Sequence, residues 1–157
     1  MNIFYLDSDP IKAAEDQCDK HCVKMILETA QLLCTAHHVL GSTIEIPYKK
    51  THQNHPSAVW VRESTGNYDW LVQHFIGLNC AYSERYNKTH KSWDKLMLVC
   101  TNYPTGLPVA DFTEPPKCMP DEYKCDSVVQ SYRNYYIGAK AYMAQWNHSS
   151  KPEWWEV

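Results

Sequence analysis

The sequence predicts a mostly α, compact single-domain helical bundle of three to five helices with long irregular loops, spanning residues 1–157. Three observations predict it. Apolar residues recur at about 100° per residue in long segments, the period of a half-buried helix. The first such segment, residues 11–40, contains no internal Gly or Pro. Prolines, glycines and turn residues crowd instead into the stretches between segments. The length suits one domain and buries a useful core without staples.

Taken in chain order, "NIFYL" (2–6) alternates weakly and predicts a short strand or an extended N-terminal arm. "DSDP" follows, with Asp9 placed to cap a helix and Pro10 at its first position. One helix is expected from Ile11 to about Leu40, stopped by Gly41. Its apolar stripe is read as Val23, Ile26, Leu27, Ala30, Leu33, Cys34 and His37. A second line, His21, Lys24, Glu28 and Gln31, runs beside that stripe at steps of three and four, with Met25 and Leu32 beyond it. A polar line between two covered faces belongs in a cleft. "GSTIEIPYKKTHQNHPSA" (41–58) is a loop with local positive charge, and "VWVRE" (59–63) is a short helix after Pro56. A second long helix is expected over Asn67–Tyr86, capped by Asn67, and a third over Trp93–Cys100. Residues 103–120, with Pro104, Pro108, Pro115, Pro116 and Pro120, form an irregular connector. The last helix is expected from about Asp121 to Trp146, and residues 146–157 as a loosely packed tail.

Composition narrows the function. A formal net charge of -3 argues against a general polyanion binder, so any nucleic-acid contact needs a local basic patch. Eleven Tyr and six Trp against three Phe favour half-wet surfaces and stacking platforms. Seven cysteines without a signal peptide or long apolar run are read as reduced thiols of a cytoplasmic protein with no membrane partner. Cys18, His21 and Cys22 share a helical face, but no second Cys/His pair completes a metal site, and no cofactor is expected.

Glu28 is the sharpest candidate for chemistry. A carboxylate beside apolar walls has its charged form disfavoured, which adapts it to proton transfer. The bland alternative is a surface ladder with Lys24 and Glu28 paired at i,i+4. "NHP" (54–56) follows two lysines, and a polar side chain before proline sits in extended backbone that can reach a ligand. "SYRNYYIGAKAYMAQW" (131–146) interleaves aromatic rings with Arg133 and Lys140, a pattern for stacking bases and holding phosphate. No phosphate-loop or dinucleotide fingerprint is present.

Taken together and in order, His21 and Glu28 on one helix, Asn54-His55-Pro56 after a basic loop, "NYDWL", and the closing run Tyr135, Tyr136, Gly138, Ala139, Lys140 resemble the pyrimidine-dimer DNA glycosylase family of the phage T4 type, historically called endonuclease V. The chain also looks like a group of small phage proteins given that family's name. The resemblance implies an all-α fold and a metal-free DNA glycosylase with possible AP lyase activity. It implies an N-terminal α-amine, here Met1, that attacks the sugar of a damaged or modified base. An α-amine is partly neutral near pH 7 and therefore nucleophilic. Glu28 then stabilises the cationic sugar and moves protons, and His21 helps position substrate. Asn2, Lys24, Gln31, Asn54, His55, Arg62, Arg133, Tyr136 and Lys140 form the implied substrate-binding set. Three departures are visible. Asn2 predicts that Met1 is retained, and Leu27 and Gln31 stand where the family has DNA-binding arginines flanking the catalytic Glu. These departures favour a pocket for one base or nucleotide over a DNA-scanning surface. They motivate a second reading, a non-catalytic phage protein that sequesters a nucleotide-derived defence signal, with Lys24, Arg62, Lys88 or Arg133 on its phosphate. A third reading is a protein-interaction module anchored by "PEWWEV".

Overall fold

A computed structural model describes residues 1–156. Those residues form α1 (Pro10–Glu15), α2 (Asp19–Leu40), α3 (Pro56–Val61), α4 (Thr65–Tyr86), α5 (Ser92–Lys95), α6 (Met97–Thr101) and α7 (Val128–Ala139), with a 3-10 turn at Asp121–Tyr123 and no strand. The mostly α expectation holds. The helix number exceeds five because two expected helices are each divided, while only α2, α4 and α7 reach 12 residues or more.

The first division sets the architecture. Asp9 caps α1 as expected, accepting from the N–H groups of Ile11 and Lys12 with Pro10 at the first position. The expected continuous helix then breaks at residues 16–18. Trp146 donates its indole N–H to the Asp16 carbonyl (3.1 Å), and Asp19 donates its backbone N–H to the Gln145 carbonyl (2.8 Å). In an unbroken helix such groups bond within it. With the break, α1 folds back on α4 at Gly77, where an added Cβ would lie 3.0 Å from Ala14 Cβ and 3.2 Å from Ile11 Cα. A side chain there would push α1 away by a few tenths of an ångström.

The tail responsible for the break is packed, not loose. Trp146 and Pro152 are buried, and Trp154 and Trp155 are half-buried beside Tyr136. The Trp154 indole donates to Asp16 Oδ2 at 2.9 Å. The last helix is accordingly shorter than expected. Ser127 caps its start, and the chain turns after Lys140 to bring Trp146 back to Asp16.

Around α2 the buried arc is rotated from the expected stripe. Val23 and Leu27 are exposed, whereas Cys22, Met25, Thr29, Leu32 and Ala36 are buried. Small residues at 22, 29 and 36 let neighbouring elements come close, so the core centres there. His21 and Glu28 consequently lie on the rim of the core. Gly41 ends the helix in the left-handed region at φ 75°, as expected.

Asn67 is not the cap of α4. Ser64 caps it, accepting from the Asn67 N–H at 3.1 Å. The buried Asn67 side chain instead donates to the Trp60 carbonyl (2.9 Å) and accepts from the Thr113 N–H (2.8 Å). These bonds pin the proline-rich connector across α3 and α4. Residues 2–6 form no strand. Ile3, Phe4, Tyr5 and Leu6 are buried as an irregular arm that returns the chain start to α2. No helix among the described residues is long and apolar enough to cross a membrane.

Candidate active site

The chain start is locked by its own second residue. Asn2 donates through Nδ2 to the Cys118 carbonyl (2.9 Å) and accepts through Oδ1 from the Phe4 N–H (2.8 Å). Phe4 has φ 55°, left-handed backbone that a bulky residue rarely adopts. Such a conformation costs about 1–3 kcal/mol and persists only where surroundings over-determine it. Here the Asn2 bond holds one side and the Leu6 N–H, donating to the Phe4 carbonyl at 2.8 Å, holds the other. The Phe4 ring stacks on His21 at 4.3 Å between centroids and lies near-parallel to Tyr135 at 6.2 Å. The Met1 side chain is packed against the core.

This arrangement aims the α-amine at α2. Met1 N lies 3.5 Å from Glu28 Oε1, and Lys24 Nζ lies 3.9 Å from Glu28 Oε2. The Lys24–Glu28 ladder therefore exists, and the carboxylate also meets the chain terminus. The groups share a cleft of about 400 Å³, within the range of small-molecule sites, lined by Met1, Asn2, Phe4, His21, Lys24, Met25, Glu28, His55, Cys118, Tyr135 and Lys140. Lys140 follows α7 as its C-terminal cap and sits over the Tyr135 ring at 5.0 Å. His55 caps α3, accepting through Nδ1 from the Ser57 N–H at 3.1 Å. Burial lowers the His55 pKa, and the terminal ammonium and His52 lower it further against the pull of Glu28. Burial also pushes His21 down to about 3, with Lys140, Lys24 and Lys20 acting in the same sense. His21 is thus a neutral imidazole at neutral pH. The cleft offers one anion, Glu28, among an ammonium and two lysines.

Seven of the sequence-derived site residues meet here: Met1, Asn2, His21, Lys24, Glu28, His55 and Lys140. Five do not line the cleft. Tyr136 is fully buried and bonds His21 from behind. Arg133 donates to the Leu6 carbonyl (2.9 Å), pairs with Asp7 (3.4 Å) and covers the Trp154 ring. Arg62 caps the opposite end of α3 from His55 and folds back on the Ala58 carbonyl. Asn54 is exposed in its loop, and Gln31 lies half-buried one turn beyond Glu28, outside the cleft lining. Lys88, considered for phosphate, is exposed in the loop after α4 and does not line the cleft either. Cys118 reaches the site from the irregular connector, where nothing local in the sequence marks it. In the sequence Phe4 belongs to the N-terminal strand or arm, Met25 lies beyond the polar line, and Tyr135 is visible only as part of the closing aromatic run.

A second cavity, about 460 Å³, opens beside Asp7, Lys12, Asp16, Arg133 and Trp154. Arg133 pairs with Asp7 and Lys12 with Asp16 there, and Glu153 also lines it, so both of its cations are already paired. Among the described residues no group of three or more His, Cys, Asp or Glu converges as metal ligands, and Cys18, His21 and Cys22 form no such set. Comparisons with protein-family models, curated proteins and solved structures returned no match.

Proposed function

We propose that this protein is a DNA glycosylase with AP lyase activity that works through the Met1 α-amine and Glu28. The observation that carries this reading is the 3.5 Å approach of a locked chain terminus to a half-buried carboxylate in an open cleft. Glu28 accepts the ammonium proton and leaves a neutral amine. The nitrogen lone pair forms a bond to C1′ as the glycosidic bond breaks. The base leaves with the electrons of the glycosidic bond and takes the proton from Glu28, which is again a carboxylate. The attacking nitrogen passes a proton to O4′ as the C1′–O4′ bond opens, which leaves an iminium at C1′. Loss of the C2′ proton to Glu28 then expels the 3′-phosphate by β-elimination, and water releases the amine. Lys24 and Lys140 supply charge for the phosphates, and the Asn2 side-chain bonds keep the Met1 amine in place.

The test is a duplex carrying one abasic site, with strand scission and borohydride trapping as readouts. A trapped complex and a β-elimination product support the reading. Intact DNA and no complex from folded protein defeat it.

The size of the cleft and its two lysines also favour a second reading, capture of one free nucleotide without chemistry. Recovery of unaltered nucleotide after heat denaturation supports that reading, and failure to retain any linear or cyclic nucleotide counts against it.

A further inference from the structure

The buried Tyr136 hydroxyl has three neighbours. The Cys18 backbone N–H donates to it at 3.3 Å, His21 Nδ1 lies at 2.6 Å, and Cys18 Sγ lies at 3.6 Å. The hydroxyl has one proton to give. Burial raises the Tyr136 pKa well above the ordinary value, so that proton stays on the phenol. Its choice is between an imidazole nitrogen at short range and a thiol sulfur a full ångström further away. Sulfur is a weak acceptor, and an unprotonated ring nitrogen is a strong one. The proton therefore points at Nδ1, and the remaining N–H of a neutral ring is on Nε2. Phe4 covers one face of the imidazole, which fixes its plane. Nε2 has no hydrogen-bond partner among the described residues, and His21 lines the cleft between Lys24 and Lys140.

We propose that Tyr136 is a positioning residue that holds His21 in the Nε2–H tautomer, so that His21 serves as a neutral hydrogen-bond donor to a phosphate oxygen of the substrate. The ligand half of this inference rests on the glycosylase reading of the same cleft; the tautomer does not. The charged groups around His21 are Lys20 and Lys24 from its own helix and Lys140 after α7, with Glu28, two turns on, and the Met1 ammonium in the same cleft. Two lysines beside an uncharged N–H donor make an anion site that needs no imidazolium.

Long-range ¹H–¹⁵N correlation on uniformly labelled full-length protein reads the tautomer directly, with the His21 signals assigned by their loss in His21→Gln. The expected spectrum has a pyridine-like Nδ1 and a pyrrole-like Nε2, unchanged from pH 5 to 8. Tyr136→Phe keeps the ring volume and should move both signals toward a tautomer average. A pyrrole-like Nδ1, or an imidazolium forming near pH 6–7, overturns the assignment. The donor role is read from binding of an oligonucleotide carrying an uncleavable tetrahydrofuran abasic analogue. His21→Gln, which keeps an N–H donor, should bind within about threefold of the native protein, and His21→Leu about tenfold or more weaker. Equal losses in both variants overturn the donor role. Failure of borohydride trapping with native tautomer signals overturns the glycosylase reading alone.

Discussion

Phe4 lies flat on His21, 4.3 Å between ring centroids and 29° from parallel, so the fourth residue of the chain packs directly on the first turn of α2. That stack joins the chain start to the helix that carries Glu28. It also explains why strained backbone at residue 4 is tolerated. Phe4→Ala should cost about 3–5 kcal/mol, as for other buried aromatics. It should also uncouple the amine from Glu28. Chemical denaturation measures the first effect, and borohydride trapping at a temperature where the variant remains folded measures the second.

Glu28→Gln keeps size and hydrogen-bonding reach while removing charge. Its Lys24 partner is exposed, but its pair with the Met1 ammonium is shielded from solvent, so stability should fall by about 1–3 kcal/mol. Strand scission should fall about 10²–10⁴-fold, the range of a lost general acid–base group. A scission rate within tenfold of native, from folded protein, would remove Glu28 from the chemistry.

Of the three buried histidines, His21, His37 and His74, the first and last carry the largest depressions and make the fold acid-sensitive. Burial pushes His21 to about 3 and His74 to about 4, the latter opposed by the Pro10 and Ile3 carbonyls. Each stays neutral in the folded chain while an unfolded histidine protonates below about 6.5. The unfolded state then binds more protons, so stability is full above about 6.5 and falls as pH drops toward those folded values. The loss approaches about 1.4 kcal/mol per pH unit for each histidine. Urea midpoints between pH 7 and 4.5 should follow this slope, and His21→Gln should remove its share. A flat profile would mean that neither ring is held neutral.

Asp16 joins the tail to the body, accepting from the Trp154 indole and from Lys12 at 3.0 Å. Trp154→Phe deletes that donor and leaves a buried carboxylate oxygen short of a partner. A loss of about 1–3 kcal/mol is expected. An unchanged thermal midpoint would contradict the clasp.

The close fit of Gly138 beneath Tyr123 gives a different kind of test. A Cβ there would run into the Tyr123 ring, which packs on Tyr135 at 5.4 Å. Gly138→Ala should therefore shift Tyr135 and Lys140 in the cleft while leaving α2 intact. Tyrosine ring resonances would report the shift. Unchanged Tyr123 and Tyr135 signals would mean the ring swings away freely.

Much of the helical plan was legible because it is local. The Asp9–Pro10 start, the Gly41 stop and α3 after Pro56 depend on neighbours in sequence. So does the polar line of α2, which brought His21, Lys24 and Glu28 to one cleft. The rotated core arc was hidden because Cys22, Thr29 and Ala36 carry little hydrophobic signal, yet their smallness is what admits close packing. The break before α2 was hidden because it is made by Trp146, 130 residues away. Arg133 and Tyr136 looked like ligand contacts because aromatic and basic residues alternate there. Their partners, Asp7 and His21, come from the other end of the chain.

The most direct measurement is peptide mapping of the protein trapped by borohydride on an abasic-site duplex. The adduct should fall on the N-terminal peptide at Met1. It should be absent in Glu28→Gln, and absent when a short extension precedes Met1 and carries the free amine away from the cleft. An adduct on Lys24 or Lys140, or trapping that survives the extension, would contradict the role of the Met1 amine.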